Sequence, residues 1–120
     1  MDTSVSTRAP YFDRAGAAAD RVGILKAAGS VQAARPAILD RLKELLRDAR
    51  AQASRQLAVD GNGRRCAEGL SLFQDEFIRL VYDYTVANVY VATNPSSAER
   101  MAVIATGGYG RGLLAPFSDI

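Results

Sequence analysis

Histidine is absent from this 120-residue chain. Its absence removes Ser-His-Asp and Cys-His catalysis, and any histidine-containing metal site, from these residues. Cysteine is nearly absent too. Cys66 stands alone, so no disulfide can form within the chain and cysteine usage does not argue for secretion. A solitary cysteine within a helical pattern reads as a small buried apolar residue rather than a nucleophile. No uninterrupted apolar run reaches the ~18 residues of a membrane span. The N-terminus carries Asp2, Arg8, Asp13 and Arg14 without a continuous apolar stretch, unlike a signal peptide. A soluble, cytoplasmic protein is expected. Net charge is small: 15 basic against 13 acidic side chains leave +2, which gives no reason to expect nucleic acid or a membrane surface as partner.

The composition that remains, 48% hydrophobic and 23% charged, is that of an ordinary globular chain with enough apolar surface for a core. Residues 1–35 are rich in Ala, Gly, Ser and Thr with scattered large apolar groups, and read as a flexible leader with a short helical turn around Asp20 to Ala28. From Pro36, suited to a first helical position, the pattern changes. Ile38, Leu42, Leu45, Ala49, Ala53 and Leu57 recur every three or four residues, with charged residues on the other face, until Asp60-Gly61-Asn62-Gly63 stops the helix. A second helix is expected from about Cys66 to Val91 on the stripe Leu70, Phe73, Phe77, Leu80, Tyr84, Ala87 and Val91, ended by Asn94-Pro95. Residues 36–95 therefore read as a helical hairpin whose aromatic stripe is core rather than a cofactor surface. Residues 101–106 form a short apolar run containing β-branched residues, bounded by the Asn-Pro turn and by glycines, and read as a buried strand.

The residues suited to chemistry come next along the chain: Gly107-Gly108-Tyr109-Gly110-Arg111-Gly112, then Leu113, Leu114, Pro116 and Ser118-Asp119-Ile120. Glycine backbone can approach an anion closely and converge its N–H groups on phosphate oxygens. Two common phosphate loops fail. A P-loop needs a lysine, and none occurs after Lys43. A dinucleotide loop starting at Gly108 needs a third glycine where Leu113 stands, and the looser register from Gly110 runs into Pro116.

A strand, a Gly-Gly pair, an arginine three residues on and an Asp separated from the pair by positions 109–118 resemble the signature of the DNA polymerase β-like nucleotidyltransferase superfamily, which is Gly-Gly or Gly-Ser, a spacer, then Asp-x-Asp on the next strand. The fuller string over 99–120 looks like the N-terminal region of the bifunctional uridylyltransferase/uridylyl-removing enzyme family, and residues 36–120 are similar to it more loosely. The resemblance implies an α+β fold: a helical hairpin followed, over 96–120, by the first strand and Gly-rich loop of a truncated nucleotidyltransferase domain. It implies transfer of UMP from UTP to a tyrosine of the PII signal protein in nitrogen regulation, with release of pyrophosphate and Mg²⁺ as cofactor. Gly107 and Gly108 are then expected to open the loop around the triphosphate, and Arg111 to neutralise phosphate charge. Ser118 is expected to fix the turn that aims Asp119, the catalytic residue and first carboxylate ligand of the metal. Leu113 departs from the family, which usually carries Glu there. The second Asp of Asp-x-Asp is expected immediately beyond Ile120, so the chain is expected to be an inactive fragment by itself. The uridylyl-removing activity of such proteins belongs to a His-Asp metal hydrolase domain, none of which a chain without histidine can supply.

A glycine loop can also be a plain structural turn, and an Asp is more often a cap or turn residue than a ligand. The offsets of Arg111, Pro116 and Ser118-Asp119-Ile120 favour the nucleotide reading. Two alternatives stay open: a glutamine-synthetase adenylyltransferase-like enzyme, whose loop usually carries lysine, and a non-catalytic helical protein-binding module.

Overall fold

The computed structural model describes residues 11–94, 96 and 100–116. Its body is helical: α1 spans Arg14–Ala28, α2 spans Val31–Asp60 and α3 spans Gly63–Tyr84. A π-helical turn, Thr85–Val89, continues α3, and a single helical turn, α4, covers Gly107–Gly110. Local chemistry sets the boundaries. The side chains of Asp13, Ser30 and Asn62 accept from the amides of Gly16, Ala33 and Arg65 at 3.0, 3.1 and 3.0 Å, each pairing a donor that the first helical turn leaves free. Gly29 and Gly61 close α1 and α2 in the left-handed conformation and donate to the carbonyls of Leu25 and Leu57. Such short links make successive helices antiparallel neighbours, and α2 packs on both α1 and α3.

The core fills the angle between these helices. Leu45, Ala49 and Ala53 of α2 meet Cys66, Leu70 and Phe73 of α3, with Ala17 of α1 closing one side. Alanines at 49 and 53 let the helices approach closely enough for the Cys66 thiol to donate to the Ala53 carbonyl at 3.8 Å. Phe73 is completed by Phe12, edge-on at 5.8 Å between ring centres, and by Phe77 at 5.5 Å. Leu114, beyond α4, is buried in the same cluster. A smaller cluster joins Ala34 and Ile38 to Tyr84, with Ile24, Leu25 and Ala28 packed against it.

Several expectations are corrected. The α+β class does not hold: among the described residues there is no strand or sheet. Residues 101–106 form no ladder, and Met101, Val103 and Ile104 are 64, 60 and 80% exposed, the opposite of a buried strand. An apolar β-branched run records a preference for burial. A strand also needs a neighbour to accept its backbone bonds, and no described segment supplies one. Pro36 is not at a helix start but inside α2, which begins earlier because Ser30 caps it; Pro36 costs α2 the bond its missing N–H would make. The second helix keeps α geometry only to Tyr84, and Val91 is 63% exposed rather than on a buried stripe. Within the stretch read as a leader, α1 is longer than the short turn expected, and Tyr11 and Phe12 lie in the core.

Candidate functional site

The glycine segment folds into one tight turn. Thr106 arrives extended, and Gly107 takes φ 60°, a left-handed conformation that strains other residues. The turn then closes on itself. Gly110 N–H donates to Thr106 O at 2.9 Å, Arg111 N–H reaches the carbonyls of Gly107 and Gly108 at 3.2 Å, and Leu113 N–H returns to Gly108 O at 2.9 Å. Crowding explains two of the glycines without any ligand. A Cβ on Gly108 would stand 2.9 Å from Leu113 O, and one on Gly110 would stand 2.7 Å from Ala105 O.

What the turn leaves over is donor capacity. The amides of Gly107, Gly108 and Tyr109 make no hydrogen bond among the described residues. Arg111 is exposed and has no ion-pair partner among the described residues. Adjacent unpaired amides in a turn beside a guanidinium can cradle an anion.

Two contacts fasten this turn to α3. The Tyr109 hydroxyl donates to Asp75 Oδ1 at 2.5 Å. Leu114 N–H donates to Ser71 Oγ at 2.9 Å and to the Ala67 carbonyl at 3.2 Å. Burial, then the hydrogen bond to the Asp75 carboxylate and its charge, hold the Tyr109 phenol well above its ordinary range, with Arg79 opposing. Tyr109 is therefore a donor at any physiological pH.

Of the residues singled out in the sequence, Gly107, Gly108 and Arg111 are thus brought together in one turn. Ser118 and Asp119 lie outside the described residues. Among the described residues no group of three or more Cys, Asp or Glu side chains is placed to hold a metal. Sequence reasoning missed Asp75, Ser71 and the anchoring roles of Tyr109 and Leu114. The only local signal was Ser71, a polar residue between Leu70 and Phe73 on the buried side of α3. No described helix is long and apolar enough to cross a membrane.

No family model matches the chain, and no solved structure matches it. Curated relatives do. A Bradyrhizobium protein is 52% identical over 113 residues, covering 92% of this chain and 12% of its own length. A Rhodopseudomonas palustris protein is 47% identical over 110 residues, covering 91% of this chain and again 12% of its own. One from Azospirillum brasilense is 42% identical over 86 residues, 72% of this chain and 9% of its own. Each is named bifunctional uridylyltransferase/uridylyl-removing enzyme. The chain therefore spans about an eighth of the length of the first of these relatives, or 12%.

Proposed function

We propose, from the premise that this chain belongs to the bifunctional uridylyltransferase/uridylyl-removing enzyme family as the homologue of one segment of it, that the complete protein transfers UMP from UTP to a tyrosine of the PII signal protein. In this reaction the tyrosine oxygen forms a bond to the α-phosphorus, the bond to pyrophosphate breaks, and the phenolic proton leaves to a base.

The observation that carries the proposal is the turn at 107–111. It sets the amides of Gly107, Gly108 and Tyr109, unpaired among the described residues, beside the exposed Arg111, in a chain half identical to relatives named for uridylyl transfer. These donors suit the phosphate tail of UTP and hold it while the α-phosphorus reacts. Asp119 is the residue of this chain proposed to hold Mg²⁺, with Ser118 shaping the approach and further carboxylates coming from elsewhere in the protein. Bound there, the ion supplies neutralisation of phosphate charge. Because one carboxylate cannot hold a metal pair, the 120-residue chain alone is expected to transfer nothing; UMP transfer by it would refute this part.

The test uses the complete protein with labelled UTP and PII protein. Wild type is expected to label a PII tyrosine, and Asp119→Ala to reduce labelling to background. Undiminished labelling by Asp119→Ala would sink the assignment.

One observation favours a second reading, a helical protein-binding module. An open, mainly apolar groove of about 610 Å³ runs between the start of α2 and the π turn, lined by Val31, Ile38, Leu39, Val81 and Tyr90 among others. In that reading the Asp119 variant keeps full function.

A further inference from the structure

Ala67, Ser71 and Asp75 stand four residues apart on α3 and so form one ridge along the helix. The glycine turn touches that ridge at every step. Leu114 N–H reaches Ala67 O and Ser71 Oγ, and the Tyr109 hydroxyl reaches Asp75. Arg111 lies between these two anchors, inside a span that also folds back through the bond from Leu113 N–H to Gly108 O. One anchor is backed by the core, since Ser71 and Leu114 are both 6% exposed. The other combines the Tyr109 ring, partly buried against the same core, with one polar contact, the hydroxyl-to-carboxylate bond to Asp75.

We propose that Ser71 and Asp75 are positioning residues: acting through Leu114 and Tyr109, they clamp the glycine turn on both sides of Arg111 and set where its donors meet the phosphate tail of the nucleotide. The functional half rests on the nucleotide-binding reading of the turn; the clamp itself rests on geometry alone. A loop fixed in advance loses less freedom when it takes up a ligand than one ordered by the ligand. Releasing the Asp75 anchor therefore weakens nucleotide binding even though neither Asp75 nor Ser71 touches nucleotide. Tyr109 stays protonated through the neutral range and so remains a donor to Asp75 there.

Tyr109→Phe tests this with little risk to folding, because the ring and its packing are kept. In the 120-residue chain, hydrogen exchange at the amides of Gly110, Gly112 and Leu113 is expected to quicken about tenfold in Tyr109→Phe and Asp75→Ala, the scale of one lost charge-assisted bond. Asp75→Asn keeps an acceptor oxygen and is expected to stay close to wild type, and amides of the α2–α3 core are expected not to change. In the complete protein, Tyr109→Phe and Asp75→Ala are expected to raise KM for UTP about tenfold, with kcat nearly unchanged and Asp75→Asn restoring KM. A purely structural role would lower the melting temperature without this split. Unchanged exchange in Tyr109→Phe overturns the clamp, and faster exchange with unchanged KM overturns its role in binding. If wild-type complete protein transfers no uridylyl group, the uridylyltransferase reading falls, and the exchange data alone decide the clamp.

Discussion

Leu114→Ala separates a glycine turn that belongs to the folded unit from one that merely trails behind it. Leu114 is 6% exposed and sits in the cluster formed by Leu45, Leu70 and Phe73, far along the chain from α2 and α3. Truncating a buried leucine costs about 2–5 kcal/mol, more where the cavity cannot collapse or fill. Here a surface pocket lined by Leu46, Arg50, Phe73 and Leu114 already borders the side chain. The new space joins that pocket and admits water, which places the cost in the lower half, at roughly 2–3 kcal/mol. A chain of this length has a stability of about 6–18 kcal/mol, so the variant remains folded and measurable. Urea unfolding followed by far-UV circular dichroism is expected to show a midpoint lower by roughly 1–2 M, with an unchanged slope. A shift below about 0.3 M would refute the docking of the turn onto the hairpin, because the helices would then be indifferent to it.

Other consequences can be checked on the same chain. Ser30→Ala removes the acceptor for the Ala33 amide at 3.1 Å and is expected to cost about 1 kcal/mol, read as a lower urea midpoint; no change would mean that the start of α2 needs no cap. Burial, followed by the charge of Asp60, raises the Cys66 thiol above its ordinary 9.0, and burial with Asp75 raises Tyr109 above 10.0. Below about pH 8 both groups are protonated in folded and unfolded chains alike, and the fold loses nothing. Above it the unfolded chain ionises first, so stability is expected to fall as pH rises from about 8 through 11, measured as the urea midpoint against pH; a flat profile would contradict the burial of both groups.

The hairpin was legible because an apolar residue every third or fourth position must find an apolar neighbour. Leu45, Ala49, Ala53, Leu70 and Phe73 did so. The stop at Asp60-Gly61 was legible because its chemistry is local, a left-handed glycine closing the helix; the Asn62 cap, which starts α3 at Gly63 rather than near Cys66, was not read. The extent of α1 was hidden because its alanine-rich sequence shows only a weak stripe, and Ala17 is its one buried residue. The strand over 101–106 was misread because local preference carries no information about a partner. In the site, the motif pointed to Gly107, Gly108 and Arg111, which do share a turn. It could not show that Gly108 and Gly110 are also required by the crowding of Leu113 and Ala105 carbonyls. Nor could it show Tyr109 bonded to Asp75, because a pair 34 residues apart leaves no periodic trace.

Calorimetric titration of MgUTP into the complete protein, wild type against Arg111→Ala, decides whether the glycine turn is where nucleotide binds. If the turn at 107–111 receives the phosphate tail, losing the guanidinium weakens binding about 10–100-fold, the scale of charge-assisted bonds to phosphate. Equal affinities would show that the nucleotide binds elsewhere.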